Sequence, residues 1–135
     1  MQTPKTVLFV CEHGALRSRI AAAYFNAAPA PGWRAQSAGR EPQAEISSAL
    51  ETLLAGTAAL EVLERDAPRT VSADAARTIA IDCDEPADET WVLRRREADA
   101  GMRDELHERV AVLAAALKVV TRDKATTPRR SKGTR

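Results

Sequence analysis

Cysteine and histidine are scarce in this chain, two of each in 135 residues. Cys11 and Cys83 stand far apart, which gives neither a disulfide framework nor a zinc site, and His13 and His107 have no metal-ligand spacing. No metal is expected. Free thiols fit a reducing compartment, so a cytoplasmic location is expected. An excess of either charge is missing too. The formal net charge of +1 gives no reason to expect nucleic acid as a partner. Nor is there a long hydrophobic run. Val110 to Leu117 falls well short of the ~18 residues of a membrane span, so no membrane partner is expected. The apolar stretch before Cys11 is too short for a signal peptide, and Val10 is bulky where a lipoprotein cleavage site needs a small residue. The chain is expected to be soluble and unprocessed.

What is present suits one domain with a substantial core, being 44% hydrophobic and 29% charged. Thr6 to Val10 is an apolar, β-branched run, the pattern of a strand covered on both faces. Ser18 to Ala28 reads as a helix that Pro29, Pro31 and Gly32 end. Trp33 to Ser37 is a second strand, with Ala38-Gly39 as a turn. Ile46 to Ala55 has helical spacing, whereas Thr57 to Leu63 fits either a helix or a strand. Ser72 reads as the cap of a brief helical turn through Ala76. Thr78 to Ile81 and Thr90 to Leu93 read as two further strands. From about Glu97, Met102, Leu106, Val110, Leu113 and Leu117 make one stripe of a long amphipathic helix. Phe9, Trp33 and Trp91 are expected in the core. Such alternation implies βαβ units, a parallel sheet and helices on both faces. Beyond Val120 the apolar periodicity stops, which divides the chain into a domain over 1–120 and a basic, mobile tail over 121–135.

The stretch VLFVCEHGALRS, residues 7–18, raises the chemical question. Cys11 ends the first strand, and Arg17 and Ser18 open the first helix. One reading is an inert core thiol followed by a surface arginine. The other is a cup for a tetrahedral oxyanion. Ligands of open parallel sheets bind beyond the carboxyl ends of the strands. A five-residue loop returning to a helix start can aim several backbone N–H groups at one point, where the positive end of the helix dipole adds to their field. Thiols in such fields, which titrate near ~8.5 when unperturbed, can fall to between ~3.5 and ~7.5, so a nucleophile needs no histidine base. Arg17 offers a planar fork for two oxygens of phosphate or arsenate. Ser18 can support the sulfur, and Gly14 permits a left-handed backbone in the tight loop.

This segment resembles the phosphate-binding loop of the low-molecular-weight protein tyrosine phosphatases and of the arsenate reductases that share their fold. RAQSAGREP, residues 34–42, is similar to the Ser-Ala-Gly turn of the same family, and the likeness extends more faintly to Leu117. The resemblance implies a three-layer α/β/α domain with a central four-stranded parallel sheet. It implies Cys11 as nucleophile, Arg17 as oxyanion clamp and Ser18 as thiolate partner. Glu12, His13, Gly14, Ala15, Leu16 and Arg17 would hold the oxyanion, and Ser37 would brace the loop. The partners implied are phosphate, arsenate or a phosphorylated substrate. No cofactor is expected, although the reductase branch would need an external thiol reductant. SAGREP followed by IDCD is nearer the arsenate reductases, and Cys83 falls close to where some of them carry a resolving thiol.

Three departures stand out. Gly14 replaces an asparagine usual in the family, and Arg19 a proline or glutamine. The Asp-Pro that carries the family's general acid is absent; Trp91-Val92-Leu93 leads instead into Arg94-Arg95-Arg96. Asp84 and Asp88 are the candidate acids, with Glu85-Pro86 and Asp99 also near. A lost acid costs ~10²- to 10⁴-fold in rate where the leaving group must be protonated. The three arginines recruit an anion or form a solvated turn. The functional expectation is therefore thiolate-based oxyanion chemistry of the arsenate reductase or phosphatase kind. Its rival is a non-catalytic oxyanion-binding module that kept the cup and lost the acid.

Overall fold

The computed structural model describes residues 3–95 and 97–126. In chain order they form β1 (Lys5–Cys11), α1 (Arg17–Ala27), β2 (Trp33–Gly39), α2 (Ala49–Leu54), α3 (Ala58–Glu61), β3 (Arg77–Ile81), β4 (Glu89–Trp91) and α4 (Ala100–Thr126). The strands make one parallel sheet in the order β2-β1-β3-β4. The expected α/β class with a four-stranded parallel sheet is what the chain adopts.

β1 runs through the middle of the sheet, so Val7 to Cys11 are buried on both faces and read as continuous apolar sequence. Alternation then sorts them. Val7, Phe9 and Cys11 join the larger core with Ile20, Phe25, Ile79, Trp91, Met102 and Leu106. Leu8 and Val10 face the other way with Ala38 and are covered by Val71, Ala75 and Cys83. The helical stripe is found as expected: Met102, Leu106, Val110, Leu113 and Leu117 are all buried. Phe9 and Trp91 are core, their rings 5.7 Å apart. Trp33 is half-buried, with Lys5 Nζ 5.5 Å above its ring. Asn26 bonds both backbone groups of Ala35 on β2, the edge strand of the sheet among the described residues.

Several boundaries differ from expectation. Ala38 and Gly39 belong to β2, paired with Val10 and Cys11, rather than to a turn. The second helix starts at Ala49, three residues late; ahead of it the Ser47 N–H bonds the Ala15 carbonyl and its hydroxyl accepts from the Ala49 N–H. Thr57 to Leu63 resolves into the single turn of α3. Ser72 accepts a bond from the Asp74 N–H within a plain turn, so no helix forms there. Helix α4 continues through Thr126, past the tail boundary at residue 121; residues 127–135 of that tail lie outside the described residues. Among the described residues no helix is long and apolar enough to cross a membrane.

Candidate active site

Cys11 is the last residue of β1 and is buried. Its Sγ lies 3.1 Å from the Ser18 hydroxyl oxygen, and the Ser18 N–H donates to the same sulfur at 3.4 Å. Helix α1 has no side-chain cap at Leu16. The sulfur accepts one of its first-turn N–H groups, a task that usually falls to serine or aspartate. A thiolate gains most from such contacts, because hydrogen bonds to charged acceptors are roughly twice as strong as neutral ones.

The loop between them is shaped from outside. The carbonyl of Cys11 accepts from the Arg40 N–H at 3.1 Å, Glu12 from Glu41 at 2.7 Å, His13 from Gln43 at 3.1 Å and Ala15 from Ser47 at 2.9 Å. Arg19 Nε donates to the Gly14 carbonyl at 3.3 Å. Residues 40–47 thus form a strap that draws the loop's carbonyls outward. Since the peptides are trans, the N–H of each unit points opposite its C=O, and those of residues 12–16 turn toward the loop's interior. Converging N–H groups beside a helix N-terminus stabilise an anion.

Gly14 has φ +66°, the left-handed conformation its sequence position suggested. Its missing side chain matters as much, because a Cβ there would lie 2.9 Å from the Ala38 carbonyl carbon. Ser37 is buried opposite Phe9 on β2, two residues before Gly39, which makes the backbone contact with the loop. Glu12 is half-buried. His13 is exposed, with Nδ1 donating to the Glu41 carbonyl at 3.1 Å.

Two charged residues escaped the sequence reading. Arg19, noted there only as a departure, is 2% exposed and bonds Gly14, the carbonyls of Glu64 and Asp66, and the Asp66 carboxylate. It ties the loop to the segment after α3. Asp82, just past β3, pairs with Arg17 through Oδ2 at 3.6 Å from Nε. Only its place beside Cys83 in IDCD could have drawn notice.

The candidate acids are dispersed. Asp88 exchanges two bonds with the Thr78 backbone. Thr78 pairs with Leu8, three positions short of Cys11, so Asp88 sits roughly 10 Å down the sheet from the loop. Asp99 bonds the Met102 N–H at the start of α4, and Glu85 pairs with Arg40 at 3.4 Å. Asp84 is exposed, two residues beyond Asp82. Arg94 and Arg95 are exposed while their N–H groups bond the buried Glu105 carboxylate; Arg96 lies outside the described residues.

Cys83 is half-buried on the opposite sheet face from Cys11, its thiol 3.6 Å from the Val10 carbonyl. Burial pushes that thiol up from its ordinary value. Backbone bonds from Glu85 and Ile81 offset part of this, and negative charge on Cys11 and Glu12 adds to the rise. Among the described residues no group of three or more His, Cys, Asp or Glu side chains could hold a metal.

No family model and no curated protein matches this chain. Solved structures do. An arsenate reductase from Archaeoglobus fulgidus is 31% identical over 81% of this chain and 98% of its own, with a TM-score of 0.64. The YwlE arginine phosphatase from Geobacillus stearothermophilus is 20% identical over 91% and 97%, with a TM-score of 0.65. A low-molecular-weight protein tyrosine phosphatase from T. tengcongensis is 19% identical over 87% and 99%, at 0.58. The chain belongs to the family of low-molecular-weight protein tyrosine phosphatases and arsenate reductases, a family of enzymes of oxyanion chemistry.

Proposed function

We propose that this protein is a thiolate enzyme acting on a small inorganic oxyanion, with arsenate as substrate and arsenite as product. The observation that carries the oxyanion reading is the set of outward-drawn carbonyls, which leaves the amides of residues 12–16 to face one point beside Cys11. Arg17 stands at the rim of that cup.

Aromatic side chains favour arsenate over a phosphotyrosine. The whole chain has two Phe, two Trp and one Tyr. Phe9, Phe25, Tyr24 and Trp91 are buried, and Trp33 begins β2, about 20 Å along the strand from the level of Cys11. None can stack on a phenyl ring at the loop. The missing Asp-Pro points the same way. Arsenate carries its own acidic protons, so the leaving oxygen can depart as water without an enzymic acid, whereas a phenolate ester benefits from one.

In the proposed reaction Cys11 Sγ attacks arsenic while Arg17 and the loop amides hold the remaining oxygens. Water leaves. An external thiol then attacks the Cys11 sulfur, the S–As bond pair passes to arsenic, and arsenite departs. Arsenic gains two electrons, and the two sulfurs lose them as a mixed disulfide. A second external thiol restores Cys11. Cys83 is a poor first attacker, since it lies across the sheet and its thiol is held protonated.

The test is arsenite production from arsenate by the purified protein with excess small thiol, compared with Cys11→Ser. Thiol-dependent arsenite formation that the variant lacks supports the reading. Turnover of p-nitrophenyl phosphate without arsenite would select the phosphatase branch, and oxyanion binding with neither reaction a non-catalytic module.

A further inference from the structure

We infer that Arg19 is a positioning residue for the oxyanion cup: it fixes the Gly14–Ala15 peptide so that the Ala15 N–H faces the anion. The inference rests on the oxyanion reading of the Cys11 loop and adds a residue to it.

Every carbonyl from Cys11 to Leu16 has a donor. The strap over residues 40–47 takes those of Cys11, Glu12, His13 and Ala15, and the Ile20 N–H takes that of Leu16. Gly14, at φ +66°, is the one that the strap leaves among the described residues. Arg19, five residues on in the first turn of α1, fills that gap with Nε at 3.3 Å. A trans peptide points its N–H opposite its C=O, so whatever holds the Gly14 carbonyl also aims the Ala15 N–H.

The guanidinium is itself held still. Arg19 is 2% exposed, and a charge so deep costs free energy unless its donors are bonded. Nη1 donates to the Glu64 carbonyl at 2.8 Å and to the Asp66 carboxylate at 3.1 Å, and Nη2 to the Asp66 carbonyl at 2.7 Å. With Nε on Gly14, four of the five guanidinium N–H groups are engaged. Three of those bonds anchor the fork to the segment after α3, which leaves Nε as a fixed donor beneath the loop. An arginine that only tied that segment to α1 would affect stability and leave the cup's amides as they are. One that aims Ala15 affects a particular donor to the anion.

The test reads that donor directly. In the wild type, inorganic phosphate should move the Ala15 amide proton downfield, the mark of a new hydrogen bond to a charged acceptor. In Arg19→Met that movement should be lost, and the phosphate Kd measured by calorimetry should rise roughly tenfold. Asp66→Asn removes the half-exposed ion pair and spares the Gly14 bond. It should keep both the Ala15 movement and the wild-type phosphate affinity. An Ala15 amide that phosphate moves equally in wild type and Arg19→Met overturns the assignment. So does an equal loss of affinity in Arg19→Met and Asp66→Asn, which would trace the effect to the anchor at residues 64–66. The wild-type measurement needs no variant: phosphate bound without movement of the Ala15 amide overturns the assignment and leaves the oxyanion site standing. A wild type that binds neither phosphate nor arsenate overturns the oxyanion reading itself, and this inference with it.

Discussion

Gly14 and Gly39 lie backbone against backbone: a Cβ on Gly14 would come within 2.7 Å of the Gly39 amide nitrogen. A Cβ on Gly39 would in turn meet the His13 carbonyl and the Gly14 nitrogen. Both obstacles are backbone, so neither can move aside as a flexible side chain would. Gly39→Ala should therefore push the loop off the end of β2. We expect a loss of about 1–3 kcal/mol in denaturant unfolding, the usual cost of overpacking. Anion binding should fall more steeply than stability, because the displaced residues carry the inward amides. A Gly39→Ala protein with wild-type phosphate affinity would separate the loop's shape from this contact.

Ser18 touches the sulfur twice, through its hydroxyl and its N–H. Ser18→Ala removes the hydroxyl and leaves the helix N–H in place. A hydrogen bond to a charged group is worth ~1.5–3 kcal/mol, so the rate of Cys11 alkylation by iodoacetamide at neutral pH should fall roughly ten- to a hundredfold. Cys11→Ser should abolish arsenite formation altogether. Equal alkylation rates in Ser18→Ala and wild type would remove Ser18 from the chemistry.

Much of the site could be read locally. Cys11, the five-residue spacing and Arg17-Ser18 are contiguous, and a strand ending where a helix begins fixes their relation without distant contacts. The α4 stripe was legible for the same reason, being periodic. What stayed hidden depends on residues far apart in sequence. The strap's bonds to the loop are backbone to backbone and leave no side-chain signature. Gly39 resembles a turn residue on paper, although close approach of another chain segment is what demands it. Arg19 is only a departure from the family pattern in the sequence, and its role shows once Glu64 and Asp66 come to bond its guanidinium. Asp82 gains meaning only when β3 and β4 bring Arg17 and Leu93 to one carboxylate.

Arg19 is as buried as the core leucines, and Glu64 and Asp66 supply three of the oxygens it bonds. Arg19→Met fills similar space but leaves the carbonyls of Gly14 and Glu64 without that donor. Gly14 is buried, so its stranded carbonyl costs about 1–3 kcal/mol in urea unfolding, whereas Glu64 is exposed and its carbonyl can turn to water. Asp66 should respond as well. The hydrogen bond from Arg69 holds its carboxyl below the ordinary range; burial opposes this, and Arg19 assists. Loss of Arg19 should move the Asp66 carboxyl resonance midpoint upward in a pH titration. An unmoved midpoint would mean that Arg69 alone sets it.

Glu105 gives the fold a sensitivity to acid. Burial acts to raise its carboxyl, but bonds from the Arg94 and Arg95 N–H groups and from Arg109 outweigh that and hold it below the usual glutamate value. A depressed folded pKa means that the unfolded chain takes up the proton first. The associated stability is full above the unfolded value of ~4.3 and is lost as pH falls through the lower folded one. Unfolding free energy measured between pH 7 and pH 3 should decline in the wild type. Glu105→Gln should start lower and decline less, the gap closing toward pH 3. Parallel curves for the two proteins would place the acid sensitivity elsewhere.

The two thiols should separate by pH. Burial raises Cys83, and its sulfur faces Val10 across the sheet from the loop. At neutral pH it is therefore mostly protonated and weakly nucleophilic, since the thiolate is the reactive form. With limiting iodoacetamide at pH 7, intact-mass and peptide mapping should find the first label on Cys11. Label on Cys83 should grow only as the solution becomes alkaline. The proposed reaction carries the same logic to turnover: if an external thiol rather than Cys83 attacks the Cys11 adduct, Cys83→Ser should retain arsenite formation with a small external thiol. Loss of turnover in Cys83→Ser, with a Cys11–Cys83 disulfide forming in the wild type only when arsenate is added, would reverse the assignment and require the end of β3 to unfold toward the loop during catalysis.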